Sequence, residues 1–469
     1  MKQILATSAV AAALVACAPW AQAGFFDALL RGPAPAEDPA KIAADGAAFA
    51  AAQPEWARPL MAALYRDGEW GAVLNLNRLG LAAMEQRQFA LARKAFDESI
   101  TRVEAIYAGD ANAARARSVF NAERVKDFKG EPYERAMMYY YRGLLYLEEG
   151  DYQNARAAFL AADRHDTLSS AEEQAYAGDF GMMKYLAGWA SACEADDTRA
   201  EQLVGEARTA DAAVAALPLK PPRALVLIES GPAPVKWGDG QYKHVLKFKA
   251  GEGDDPAPVV REVEGVREGR EGKAARGKQA GAKAPPLAAA QPMQPVQPAL
   301  LGDVTYQATT RGGREVDVVL AGKAQFKGAA GAVGDTALAM GVGFAQAGGM
   351  SGNSDMAQAG LAGLLIGMVA KGLEHAANPE ADTRAWDTLP ARVLLVADAG
   401  KAPPAVLSGG TPVALPLQNR KGPCAVAWGR TRSAQVAEAP PDGPAVEAGR
   451  QERNQAFRAM LVNELAVAK

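Results

Sequence analysis

The sequence predicts an α+β protein in which an N-terminal α-helical repeat domain is followed by a smaller β-containing domain with a Gly-rich helical hairpin insertion. Three observations predict it. From Asp38 to Ala215 apolar residues recur at three- and four-residue spacing with few prolines, the pattern of packed helices. Near Pro218 this gives way to short apolar or alternating runs bounded by Pro and Gly, the pattern of strands. Gly328 to Gly372 is rich in Gly, Ala and Met and breaks at Gly348–Asp355 into two apolar arms, the pattern of a hairpin.

Residues 1–23 read as a secretory signal. Lys2 is followed by an apolar run from Ile4 to Ala16, about thirteen residues against the roughly twenty that a membrane span needs. Two cleavage sites are present. Leu14-Val15-Ala16-Cys17 resembles a lipobox, which makes Cys17 a lipid attachment site, and Ala21-Gln22-Ala23 suits ordinary cleavage after Ala23.

Within 38–215 two helix pairs fit the tetratricopeptide (TPR) pattern, so the helical domain is expected to be TPR-like. The first uses Leu76, Leu79, Gly80, Phe89, Ala92 and Phe96. The second uses Tyr139, Gly143, Tyr146, Tyr152, Ala155, Phe159 and Ala162, with a Gly150-Asp151-Tyr152 turn. A degraded third copy uses Gly188, Ala200 and Ala207, with Cys193 as a small apolar filler. Helix pairs of this kind bury their apolar faces only by stacking, which generates a curved surface. Asn77, Leu81 and Glu85 on the first pair, and Tyr140, Leu144 and Glu148 on the second, fall on the face that would line its concave side. They are the expected partner contacts.

The β-containing domain is assigned to 218–250 and 300–432, with strands expected at Arg223–Glu229, Lys243–Lys249, Asp303–Thr309, Glu315–Leu320, Arg392–Ala397 and Cys424–Trp428. Residues 251–299, with Glu-Gly-Arg repeats and then an Ala, Pro and Gln run, read as a disordered linker. The hairpin occupies 328–372, and 446–467 reads as a C-terminal amphipathic helix.

Composition narrows the chemistry. There are 51 basic and 54 acidic residues, so no field favours nucleic acid. The three histidines and three cysteines show no metal-ligand spacing, and no cofactor fingerprint, phosphate loop or nucleophile elbow is present. No catalytic residue, metal or cofactor is therefore expected. Cys424 reads as a packed residue, and pairing of Cys193 with Cys424 is open.

The chain resembles a family of uncharacterised bacterial TPR-like lipoproteins. The resemblance rests on Tyr133-Glu134-Arg135 with the tyrosines and Gly150-Asp151-Tyr152, on Glu229-Ser230-Gly231-Pro232-Ala233-Pro234-Val235-Lys236, and on Asp382-Thr383-Arg384-Ala385-Trp386-Asp387-Thr388-Leu389-Pro390. The leader implies a periplasmic-side envelope protein, and the lipobox followed by Ala18 resembles those of lipoproteins sorted to the outer membrane, which implies anchoring there through Cys17; ordinary cleavage would leave it soluble in the periplasm. The expected function is a non-enzymatic scaffold or assembly protein that binds envelope proteins, with homo-oligomers possible. A membrane-engaging or oligomerising component built on the Gly-rich hairpin is the alternative, and a wall-acting enzyme the third.

Overall fold

A computed structural model of the chain describes residues 38–107, 126–167, 179–240, 243, 245–253, 260–262, 298–309, 381–397, 404–408, 411–419, 424–434 and 450–466. The expected leader with Cys17, most of the expected linker, the strand expected at Glu315–Leu320 and the expected Gly-rich hairpin lie outside these residues.

The helical part runs α1 (Pro39–Ala51), α2 (Arg58–Asp67), α3 (Ala72–Glu85), α4 (Phe89–Tyr107), α5 (Pro132–Glu149), α6 (Tyr152–Thr167), α7 (Gly181–Cys193), α8 (Asp197–Ala210) and the short α9 (Ala212–Ala215). Sequence chemistry sets their ends. In α5, Pro132 occupies the first turn, Glu131 and Glu134 form a reciprocal capping box, and Gly150 closes the helix in the left-handed conformation at φ 78°. The side chains of Asp38, Asp196 and Asp211 accept backbone N–H groups at the starts of α1, α8 and α9.

Three pairs, α3–α4, α5–α6 and α7–α8, share one register. A Cβ placed on Gly80, Gly143 or Gly188 would come within 3.0 Å of the residue sixteen positions on, respectively Phe96, Phe159 and Val204. Twelve positions after each glycine stands a buried alanine, Ala92, Ala155 or Ala200. Seven positions after each stands a left-handed residue, Arg87 (φ 59°), Gly150 (φ 78°) or Ala195 (φ 65°). The glycine lets two helices approach so closely that a large side chain of the second fills the space a Cβ would take.

Among the described residues ten strands follow: β1 (Ala224–Ser230), β2 (Val235–Asp239), β3 (Val245–Lys249), β4 (Val260–Glu262), β5 (Ala299–Asp303), β6 (Arg392–Ala397), β7 (Pro404–Ser408), β8 (Thr411–Ala414), β9 (Leu417–Asn419) and β10 (Ala425–Arg430). A five-stranded sheet has the order β5-β6-β1-β10-β9, β2 and β3 form a two-stranded ribbon, and β4-β7-β8 form a third sheet. Strands β1 and β10 pair in parallel, Ala224 opposite Ala425 through Glu229 opposite Arg430. The other pairings in the main sheet are antiparallel.

Strand β1 is buried on both faces. Leu225 and Leu227 join the core of the helices, whereas Val226 and Ile228 meet Leu394, Val396, Leu415 and Ala427 on the far side. That is why its sequence is a continuous apolar run without alternation. One continuous core extends from Leu60 in α2 through Phe96, Tyr141 and Trp189 to Trp428 in the sheet. The C-terminal helix α11 (Arg450–Met460), continued by a π turn at Leu461–Leu465, adds Phe457, Leu461 and Leu465 to it.

Two expectations are corrected, and one strand, β2, was not expected. The strand expected at Asp303–Thr309 is the last residue of β5 followed by a helix, α10 (Val304–Thr309), whose first turn the Asp303 carboxylate caps by accepting the Tyr306 amide. The expected linker 251–299 contains β4, which pairs with β7, and ends on the first residue of β5. Strand β2 begins after a Pro-Ala-Pro run and carries a lysine inward, which hid it from periodicity.

Candidate functional site

The concave face expected to receive a partner is covered by the chain itself. Asn77, Leu81, Tyr140 and Leu144 are buried. Glu85 accepts hydrogen bonds from Arg430, from the Ser433 hydroxyl and from the Ala434 amide, and Glu148 pairs with Arg93 at 3.3 Å. As contacts for an outside partner, five positions are therefore corrected: Asn77, Leu81, Tyr140 and Leu144 are core and Glu85 holds a distant segment of the same chain, whereas Glu148 stays partly exposed in its surface pair. The physical reason is coverage by distant sequence. Two bodies lie over this side of the helices, the main sheet and a strap at 381–390 that has neither helix nor strand.

The strap is held by side chains from separate helices. Glu134, 1% exposed, accepts the Trp386 amide at 2.7 Å with one carboxylate oxygen; with the other it caps its own helix and receives the Lys236 ammonium, also at 2.7 Å. Lys236 donates in addition to the Arg384 carbonyl at 2.8 Å. Arg78 on α3 reaches the Asp387 carboxylate and the Ala385 carbonyl. Arg384 points the other way: it donates to the carbonyls of Trp70 and Lys126, pairs with Asp382, and lies 4.4 Å over the Trp70 ring. The fully buried Trp386 ring packs beside Phe96 and Tyr141. A segment without its own ladder is in this way held through its main chain.

The sheet is held by a buried polar cluster. Glu229 accepts from the Tyr141 hydroxyl and the Trp428 indole N–H, each at 2.8 Å, and pairs with Arg430 at 2.9 Å. Arg430 also reaches Glu85 and donates to the Thr388 carbonyl of the strap. Burial pushes the Glu229 carboxyl above the usual range against the pull of Arg430 and its two donors, and Glu85 is raised for the same reason. Tyr133-Glu134-Arg135, Glu229 to Lys236 and Asp382 to Pro390, far apart in sequence, meet in this one region. Sequence reasoning assigned Glu134, Glu229, Lys236, Arg384, Trp386 and Arg430 no site role. The available signal was a charge closing an apolar strand, as at Glu229.

A second cluster lies between α4, α5 and α6. Glu104 accepts from the Tyr139 hydroxyl at 2.5 Å, stands 2.8 Å from His165 Nε2, and has Arg164 at 3.5 Å. Tyr139 stacks on the His165 ring. Burial lowers the His165 pKa, while the hydrogen bonds from Tyr139 and His165 hold Glu104 below its usual value despite partial burial.

The open question of cysteine pairing is answered: Cys424, buried as expected, forms a disulfide with Cys193, with Cα atoms 5.7 Å apart. Among the described residues no group of His, Cys, Asp and Glu side chains is placed to hold a metal ion, and no helix is long and apolar enough to cross a membrane.

The ribbon β2–β3 presents an open face. Val235, Trp237 and Val245 are 39%, 41% and 41% exposed. Lys247, opposite Trp237 in register, lies 5.4 Å from its ring. The alternate face is anchored, because Lys236 is fixed to Glu134 and Phe248 packs edge-on against Tyr133. No family model, curated protein or solved structure matches the chain.

Proposed function

We propose that this is a non-enzymatic cell-envelope scaffold or assembly protein of TPR-like build, held on the periplasmic side through a lipid on Cys17 or released there after Ala23, which binds a protein partner. The observation that carries the reading is the strap. The stacked helices already hold a non-repetitive segment by its main chain and by a buried tryptophan, which is the chemistry of peptide recognition, and here it is spent on the chain itself. The partner therefore meets a different surface, and the ribbon face of Val235, Trp237 and Val245 is the one we assign. An exposed tryptophan on an anchored ribbon is the kind of aromatic anchor on which interface hot spots are built, and Val235 and Val245 flank it with apolar surface.

A photo-crosslinking residue at Trp237, with another at exposed Gln202 on α8, tests this in cells that express the full chain. A discrete protein adduct at position 237 that is missing at 202 supports the reading. Adducts at neither position, or equally at both, contradict it.

A further inference from the structure

We infer that the Cys193–Cys424 disulfide is an oxidation-dependent clasp that seats β10 on the helical stack, so that the chain closes only after it reaches an oxidising compartment. The inference rests on the reading that the protein is exported.

Position carries the argument. Cys193 is the last residue of α7, and Cys424 immediately precedes β10, whose first residue bonds Arg223 by its amide at 2.9 Å. The two cysteines are 231 residues apart in sequence. Bringing β10 to β1 thus closes a very long loop, and a crosslink at that point removes much of the chain freedom that opposes it. Burial of Val426 and Trp428 favours seating β10, but part of that gain is offset by the polar group it carries in. Its Arg430 goes into the interior beside Glu229, and an ion pair taken out of water gains little over its own desolvation. Everything from Trp428 to Ala434 that locks onto Glu229 and Glu85 depends on β10 being seated.

Cysteine usage agrees. Of the three cysteines, Cys17 lies in the leader, where it is either acylated or removed, and the other two are consumed by the clasp. A buried pair of this kind, 4% and 3% exposed, is typical of proteins that mature where thiols are oxidised.

The closing step is thiol–disulfide exchange with an oxidising oxidoreductase. One cysteine thiolate attacks the disulfide of that enzyme, forming a mixed disulfide and releasing one enzyme thiolate. The second cysteine thiolate attacks the chain sulfur of the mixed disulfide, forming the Cys193–Cys424 bond and releasing the other enzyme thiolate. Two electrons pass to the enzyme, and the two protons lost by the chain thiols balance those gained by the enzyme dithiol.

The test refolds the full chain without its leader from denaturant, with and without dithiothreitol, and follows amide exchange at Ala425–Arg430 together with trypsin cleavage after Arg430 and Arg432. In the reduced chain we expect exchange and cleavage there to rise at least a hundredfold while α3 to α6 stay protected, and C193A/C424A should behave the same way without reductant. Equal protection of β10 in oxidised and reduced chains, or in the double variant, overturns the clasp. Thiol alkylation of the leader-bearing chain in fractionated cells separates the two ideas: a reduced, cytoplasmic chain with open β10 would end the export reading and leave the clasp standing.

Discussion

Glu229 and Arg430 are register partners on the parallel strands β1 and β10, and their side chains meet at 2.9 Å where they are 0% and 4% exposed. Such a pair is costly to bury and more costly to break. Glu229→Leu should lower the unfolding free energy by about 3–5 kcal/mol, because Arg430 is left in the interior and the Tyr141 and Trp428 donors lose their acceptor. Glu229→Gln, which keeps an acceptor, should cost less. The double variant Glu229→Leu/Arg430→Met should lie closer to wild type than either single change. Urea unfolding of wild type, Glu229→Leu, Glu229→Gln, Arg430→Met and the double variant checks this, and a double variant as damaged as the sum of Glu229→Leu and Arg430→Met refutes it.

The strap predicts a second set of changes. Trp386→Ala empties a site among Phe96 and Tyr141 and should cost about 3–5 kcal/mol. Arg384→Lys retains charge but not the fork that serves two carbonyls while lying over Trp70, and should cost on the order of 1–3 kcal/mol. Both are read by thermal and urea unfolding. A surface loop would tolerate either substitution within about 0.5 kcal/mol.

The shared register of the three helix pairs makes predictions of opposite sign at equivalent positions. Gly143→Leu should destabilise by about 1–3 kcal/mol, since its side chain collides with Phe159, and Phe159→Leu in the same chain should restore part of the loss. Ala195 holds a left-handed conformation that disfavours a Cβ, so Ala195→Gly should stabilise by about 0.5–1 kcal/mol. Gly150→Ala, seven positions after Gly143, should destabilise. Melting temperatures of the four variants decide it.

Acid should loosen the corner between α4, α5 and α6. The folded-state pKa of His165 is depressed below 6.5, so its contribution is complete above the unfolded value and is lost as pH falls through the folded one. Glu104 is depressed below 4.5 and acts in the same direction at lower pH. Stability relative to His165→Gln should therefore be constant above pH 7 and decline below about 6.5. A difference independent of pH between 7 and 4 would show that the histidine does not titrate with folding.

Much of the local structure was legible, for physical reasons. The Gly-to-Phe register follows from sterics along two neighbouring helices, and β1, β3, β6 and β10 announced themselves by apolar runs between Pro and Gly. What was not legible depends on contacts between distant parts of the chain. Tyr140 occupies a position that lines an open groove when a repeat stands alone, and nothing near it in sequence tells that Glu229 of β1 and Arg430 of β10 arrive beside it. Lys236 reads as a strand's solvated lysine, because Glu134 lies about a hundred residues away. Asp303 reads as part of a strand, because its capping of the next turn competes with periodicity. The proximity of Cys193 and Cys424 is set by the pairing of β1 with β10, which no local pattern encodes.

The central claim is that the helical stack binds its own strap, leaving the ribbon to meet a partner. Amide exchange of the full chain at 384–389 tests it most directly. The Trp386 amide, bonded to buried Glu134, should exchange as slowly as the amides of β1, opening only when the whole structure unfolds. Exchange there at the rate of an exposed loop, with the helices still protected, would show that the groove is empty and open to an outside ligand.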